Sequence, residues 1–254
     1  MNLLIDIGNT FTHFAVHNGK RITLSKKCLT VDKKMVMKYL KSIQSKFNID
    51  TVGIASVSPE SNKIIEQYIR RNFRCKLVSI NYETSLPVRI KIKNPHTLGA
   101  DRICNAVCGN EIAGGKSNVL VIDLGTANTY DLVLKNGDFV GGIIAPGIMT
   151  SSKALNLNTA NLPLLEYRKL SARAPVIGKN TFEAIQSGLV NYMKYAVEGI
   201  VASVKKKYRG KLTVVLTGGS AILIKNNVNF EYIYKENTVL EGINVILKNQ
   251  NASK

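Results

Sequence analysis

From its first residues the chain writes short apolar runs that stop at an acidic residue. Residues 3–19 read LLIDIGNTFTHFAVHNG and residues 120–137 read LVIDLGTANTYDLVLKNG. In each stretch an apolar-rich run closes on an aspartate, Asp6 or Asp123. An apolar residue, a glycine (Gly8, Gly125) and a short polar stretch come next. A second strand-like run then ends at Asn18–Gly19 or Asn136–Gly137. Asn-Gly is the strongest two-residue hairpin signal, because both positions tolerate positive φ. Four features in the same order, with the second copy one residue longer, predict a duplicated strand–loop–strand–turn–strand unit.

The segments downstream of the two copies are also alike. Within Val31–Phe47 the apolar residues fall at 36, 39, 40, 43 and 47, which is helical spacing. Thr51–Val57 reads as a buried strand, and Ser58 as the cap of a helix that opens with Pro59 and Glu60. Lys76–Ile80 reads as a strand, and a helix should run from Gly99 to about Ile112, ended by Gly114–Gly115. Beyond the second copy, Asn180–Lys207 reads as a long helix. Leu212–Leu216 is a buried strand that ends at Thr217–Gly218–Gly219, and Glu241–Leu247 is a closing helix. A hairpin sheet followed by alternating helices and parallel strands, twice, is mixed α/β. The boundary falls near Gly114–Lys116, giving expected domains over 1–115 and 116–254.

Composition narrows the class. The 254 residues are 45% hydrophobic and 20% charged, so a core forms without staples. No run of about 18 apolar residues is present, so no membrane span is expected. The run Leu3–Ile7 is too short and too acidic for a signal peptide, so the expected location is the cytoplasm, with no membrane partner. Cys28, Cys75, Cys104 and Cys108 form no CxxC pair. Cys104 and Cys108 lie one helical turn apart, but no second pair of ligands stands near them, so reduced thiols are expected rather than a zinc site. The net charge of +18 is spread over many segments, such as Lys26–Lys27, Lys33–Lys34, Arg70–Arg71 and Lys205–Lys207. That dispersion predicts a solvated surface that weakly draws in anions such as ATP, with no specific nucleic-acid partner.

The two Asp-Gly loops carry the candidate chemistry. An unpaired carboxylate inside a central strand is costly to bury. At the end of the strand it can face a crevice and hold a hydrated magnesium ion or a reacting group. A glycine two residues later lets backbone approach a phosphate. The hydroxyls of Thr10, Thr12, Thr126 and Thr129 can donate to phosphate oxygens, and turn N–H groups form an anion cradle. Neither a GxxxxGK[ST] nor a GxGxxG pattern occurs.

DIGNT at 6–10 and DLGTANT at 123–129 resemble the two phosphate loops of the actin, sugar-kinase and acetate-kinase superfamily, and TGG at 217–219 resembles its adenosine motif. More narrowly, GADR at 99–102, DLGTA at 123–127, GGIIAPG at 141–147, IGKNT at 177–181 and TGG resemble type III pantothenate kinases, in order and over nearly the whole chain. Two positions depart from the family pattern. Ile92 stands where a tyrosine is common, and Asn128 stands where the loop usually carries threonine.

The resemblance implies two duplicated ribonuclease H-like domains, each a mixed sheet flanked by helices, with nucleotide in the cleft between them. It implies ATP-dependent phosphorylation of pantothenate to 4'-phosphopantothenate, the first step of coenzyme A synthesis. Asp101 is then the proton acceptor. Gly99, Ala100, Asp101, Arg102 and Thr181 bind pantothenate, Arg102 through a planar fork suited to a carboxylate or phosphate. ATP falls to the loop Asp6, Ile7, Gly8, Asn9, Thr10, Phe11, Thr12 and His13, and to Thr126. For His13 packing is the plainer role. Asp6 is implied to orient magnesium through water, and Asp123 to bind a monovalent cation, potassium or ammonium. A homodimer is implied too, with part of the acceptor site coming from the second subunit. The competing readings are a sugar kinase of the same superfamily and a non-catalytic regulatory or nucleic-acid-associated protein that kept the fold. GADR argues against the first, and retention of Asp6, Asp101 and Asp123 against the second.

Overall fold

The computed structural model describes residues 1–252. The first repeat forms β1 (Asn2–Ile7), β2 (Phe11–His17) and β3 (Ile22–Leu29). There follow α1 (Lys33–Lys46), β4 (Thr51–Ser56), α2 (Pro59–Asn72), β5 (Lys76–Ser79), the two-residue β6 (Arg89–Ile90) and α3 (Ala100–Ala113). The second repeat forms β7 (Asn118–Leu124), β8 (Ala127–Val133) and β9 (Asp138–Pro146). After it come α4 (Ile148–Leu157), α5 (Thr181–Lys207), β10 (Leu212–Thr217), the two-residue β11 (Ile233–Tyr234) and α6 (Thr238–Ala252).

The duplication is visible in topology. The first sheet has the order β3-β2-β1-β4-β5. Its β1, β4 and β5 run parallel, while β2 and β3 pair antiparallel beside them. The second sheet runs β11-β10-β7-β8-β9, the same order in the second set of strands, with β6 added alongside the start of β9. Both Asn-Gly turns place their glycine at positive φ, 93° at Gly19 and 86° at Gly137. Asn18 tightens the first turn, its Oδ1 accepting from the N–H groups of Lys20 and Arg21.

Two compact units result. One comprises Met1–Ile112, Gly137–Val140 and the chain from Asn237 on; the other comprises Ala113–Asn136 and Gly141–Glu236. In the first unit Leu3, Ile5, Ile7, Phe14 and Val16 of the sheet pack with Val36, Leu40 and Ile43 of α1 and with Ile65 and Ile69 of α2. α6 also packs against β1 and β4. Gly53 of β4 makes room for it, since a Cβ there would lie 2.5 Å from Ile243.

The helices and strands expected from the pattern are present, with three differences in detail. Ser58 occupies the position that precedes α2, yet its side chain makes no capping bond. Its N–H donates instead to Ser56 Oγ, so Pro59 and Glu60 start the helix. α6 begins at Thr238, three residues before the expected start, because Thr238 is buried and bonded to Asn105 Oδ1 of α3. α4 has no counterpart in the expectation. It is short, it buries Ile148 and Ser152, and Ser152 Oγ exchanges hydrogen bonds with the Leu165 backbone.

Candidate active site

The two Asp-Gly loops share one plan of backbone bonds. Asp6 is flanked in register by His13 of β2 and Ala55 of β4; Asp123 is flanked by Thr129 of β8 and Thr217 of β10. The Gly8 N–H donates to Phe11 O at 3.0 Å, and the Gly125 N–H to Ala127 O at 3.2 Å. The third strand of each repeat then ties the loop tip down. Thr30 donates its N–H to Thr10 O at 3.0 Å, and Gly147 donates its own to Thr126 O at 3.1 Å. Behind each tip sits a buried polar residue, Thr12 bonded to Thr30 Oγ1 and Asn128 bonded through Nδ2 to Pro146 O. The loops differ in length: residues 8–11 separate the paired positions Ile7 and Thr12, whereas 125–127 separate Leu124 and Asn128.

The expected ATP residues therefore fall into two groups. Asn9, Phe11 and Thr126 are exposed at the tips, and Gly8 and Thr10 are partly so. Ile7 and Thr12 are fully buried, so Ile7 shapes the strand end and Thr12 braces the loop from below. Thr129 is buried as well, which leaves Thr10 and Thr126 as the outward loop hydroxyls. His13 Nε2 lies 2.8 Å from Ser25 Oγ across the sheet, a packing arrangement.

Asp101 opens α3 just past a short 3₁₀ turn, Pro95–Thr97. Its Oδ1 accepts from the Arg102 N–H at 2.8 Å. A Cβ on Gly99 would lie 2.5 Å from that same oxygen, so the glycine of GADR leaves the space the carboxylate occupies. Burial pushes the Asp101 carboxyl above its ordinary value; the hydrogen bond and charge of Arg102 pull the other way but do not cancel it. Cys104, fully buried, is pushed well up by burial and by the charges of Asp6 and Asp101. The charges of a strand-end and a helix-start carboxylate thus both act on this thiol. The Arg102 guanidinium stands 5.9 Å from the centre of the Phe139 ring. Ala100 is buried under the helix start, and Ile92 is half-buried.

In the second unit the glycines define a cradle at Asp123. Gly218 adopts φ 91°, and a Cβ there would lie 2.5 Å from Asp123 Oδ1 and from the Leu124 backbone nitrogen. Gly147 is equally constrained, its Cβ position lying 2.1 Å from Gly125 O. Two residues outside the recognised motifs hold this region. Thr150 Oγ1 donates to Thr126 O at 2.6 Å, and Tyr167 Oη donates to Gly219 O at 2.7 Å. Tyr167 lies 52 positions from its partner, so no local pattern announces it. Thr181 begins α5, where Asn180 Oδ1 accepts from the Glu183 N–H and Glu183 accepts from the Lys179 N–H. Gly178 lies so close to α5 that a Cβ would come within 2.2 Å of the Ala184 nitrogen. Thr181 lines a cavity of about 1240 Å³ between α4 and α5.

Among the described residues no cluster of three or more His, Cys, Asp or Glu side chains is arranged to hold a metal ion. A single strand-end carboxylate suits magnesium that keeps most of its water and takes its other ligands from phosphates. At Asp123 the absence of a side chain on Gly218 lets the backbone pack directly against the carboxylate.

One sheet order used twice, with an Asp-Gly loop at the same place in each copy, defines the class: the duplicated ribonuclease H-like fold of actin and the sugar kinases. Solved structures agree on the fold. A Campylobacter jejuni protein described as a Baf family transcriptional activator aligns with TM-score 0.61 at 20% identity, covering 98% of this chain and 99% of that one. The ROK hexokinase of Thermus thermophilus aligns with TM-score 0.51 at 13% identity, covering 100% and 99%. At such identities the likeness speaks for fold alone. Sequence goes further. The family model for type III pantothenate kinase matches residues 2–203. The type III pantothenate kinase of Agathobacter rectalis is 35% identical over 262 residues, 99% of this chain and 98% of the relative. The chain belongs to the type III pantothenate kinase family.

Proposed function

We propose that the chain phosphorylates pantothenate with ATP, and that Asp101 is the group that receives the proton. The observation that carries the assignment is the Asp101 carboxylate, held over Gly99 at the start of α3 and raised in basicity by burial. A general base works best when its pKa lies nearer the working pH than that of a free carboxylate. As the primary hydroxyl oxygen of pantothenate bonds to the γ-phosphorus, its proton passes to Asp101, the bridging β–γ bond breaks and ADP leaves. Phosphoryl transfer needs placement and charge neutralisation more than covalent help. Arg102, one residue on, supplies a fixed positive fork for the pantothenate carboxylate or a phosphate oxygen. Gly8, Asn9, Thr10 and Phe11 of the first loop, with Thr126 of the second, take the phosphates. Ile7, Thr12 and His13 hold that loop in shape.

Asp6 would hold hydrated magnesium, and Asp123 a potassium or ammonium ion. When bound, these ions supply positive charge to the phosphates. Thr181 contributes to pantothenate binding. The working form is a homodimer. α5 supports this with Phe182 and Tyr195 exposed and Tyr192 75% exposed, an aromatic face suited to a second copy. Sedimentation velocity gives the mass that decides it. No helix among the described residues is long and apolar enough to cross a membrane, and the cytoplasm is the proposed location.

The test is ADP release with pantothenate, run in potassium and in sodium buffer. Pantothenate-dependent release, stronger in potassium, is expected. No release above the ATP-only background would end the reading, and equal rates in both buffers would remove the cation from Asp123.

A further inference from the structure

The first Asp-Gly loop has a basic neighbour that no motif names. In register, Lys27 of β3 faces His13 of β2, and His13 faces Asp6 of β1. Residues paired directly across strands project from the same face of a sheet, so these three form one row. The two basic side chains of the row lean in opposite directions. His13 leans away from the loop, its Nε2 2.8 Å from the Oγ of Ser25, which pairs with Ala15 further along the hairpin. Lys27 leans toward the loop, its Nζ 4.6 Å from the centre of the Phe11 ring. Phe11 closes the loop, its carbonyl accepting the Gly8 N–H. It is 44% exposed, and Leu29, its partner in register, is 48% exposed, so protein leaves this corner open. Lys27 is exposed as well and pairs with no carboxylate among the described residues. Lys26 stands on the opposite face, in register with the core residue Phe14. Both lysines charge the sheet edge, but only Lys27 brings an ammonium to the loop tip.

We infer that Lys27 is a nucleotide-binding residue whose ammonium contacts the ATP phosphates on the first loop. The inference rests on that loop holding phosphates in the proposed kinase reaction. Backbone N–H groups cradle a phosphate without adding net charge. Asp6, in the same row, adds a negative charge there. A cation that reaches the loop from the side offsets both. Lysine suits the task, because its ammonium is a compact charge on a flexible stem. An exposed cation–π contact is weak, so the ammonium leaves the Phe11 ring for a phosphate oxygen at small cost. The ring then serves as the rest position that keeps the charge at the tip when no nucleotide is bound.

The experiment measures ADP binding by calorimetry, steady-state kinetics and thermal melting for wild type, Lys27→Gln, Lys27→Arg and Lys26→Gln. Lys27→Gln should weaken ADP binding and raise the KM for ATP by about fivefold, the upper end for one exposed ion pair. Its kcat, its KM for pantothenate and its melting temperature should stay at wild-type values. The difference from wild type should shrink as salt screens the charge. Lys27→Arg keeps the charge and should recover most of the affinity. Lys26→Gln removes the same charge from the next residue, on the other face, and should behave as wild type. Unchanged ADP affinity in Lys27→Gln, with wild type still turning over pantothenate, overturns this inference and leaves the kinase reading standing. An equal loss in Lys26→Gln also overturns it, because that marks the general field of the surface. So does a lower melting temperature with both KM values raised, the mark of a structural role. If wild type binds no nucleotide, the inference and the functional reading fall together.

Discussion

At the scale of single residues, the proposed chemistry turns on where the Asp101 carboxylate is allowed to be. Asp101→Asn keeps the shape of the side chain and removes its basicity, so turnover should fall by about 10²–10⁴-fold, the usual worth of a general base. Stability should move the other way. Burial raises the Asp101 pKa in the folded chain, so the folded chain keeps this proton at pH values where the unfolded chain has released it. Folded stability is therefore lost as pH rises through the folded value, and the full cost is present at neutral pH. Asp101→Asn escapes that cost. It should melt at or above wild type at pH 7, and the difference should vanish below the ordinary carboxylate range. Only the ionised form accepts a proton, so the acid limb of kcat/KM should sit above that range in wild type. A variant both slower and less stable at pH 7 would contradict the assignment. Gly99→Ala tests the same carboxylate from below. The new Cβ would lie 2.5 Å from Asp101 Oδ1, and a carboxylate tip can swing away where backbone cannot. Activity should drop by about 10²-fold, as for an ångström-scale misplacement, while urea unfolding changes little.

Elements set the frame in which that carboxylate is held, and close helix contact matters most here. α6 crosses α3 at Gly242, where a Cβ would lie 2.0 Å from Cys104 O and 2.6 Å from its carbonyl carbon. Both obstacles are backbone, so Gly242→Ala must push the helices apart. A loss of at least about 1–3 kcal/mol in urea unfolding is expected, as for other overpacked cores. Activity should fall as well, because α3 carries Asp101 and Cys104 on one turn. Unaltered stability would mean that α6 does not press on α3. The contrast with Gly99 also shows which features a sequence can reveal. The hairpins and the long helix α5 were readable because each is a local pattern of turn residues and periodicity, whereas GADR was legible through its resemblance to the family. Gly242 was not, since nothing within its own helix distinguishes a glycine that meets another helix. α4 was missed for a related reason: two of its ten residues are buried, and Ser152 is fixed by Leu165 rather than by an apolar stripe. Thr30, Thr150 and Tyr167 brace the loops through partners 18 to 52 positions away, beyond the reach of any motif. Asp6, Asp101 and Asp123 could be named from sequence. That the charges of both Asp6 and Asp101 act on Cys104 could not, because a strand end and a helix start distant in sequence carry them.

The whole molecule carries a charge of +18, which invites a nucleic-acid reading. The placement of the basic residues favours another account. Lys46 ends α1, Arg70 and Arg71 end α2, and Lys205, Lys206 and Lys207 end α5. Cations in the last turn of a helix offset the partial negative charge of its free carbonyls. Lys26 and Lys27 stand exposed on β3, the edge of the first sheet, where charge discourages pairing with another chain. Other basic groups form ion pairs, Lys33 with Glu60 and Arg89 with Asp138. The proposal is that this surface solvates and stabilises the protein and weakly steers anions such as ATP. Duplex DNA should accordingly bind without sequence preference. Its affinity should fall steeply with salt, each neutralised phosphate adding about −0.9 to the log–log slope. At physiological salt, binding should be no tighter than the non-specific range of roughly 10⁻⁴–10⁻⁶ M. Titration of random and genomic duplexes across salt concentrations measures both quantities. Selective binding tighter than about 10⁻⁸ M, the loose end of the specific range, would give this surface a second role that its scattered lysines do not foreshadow.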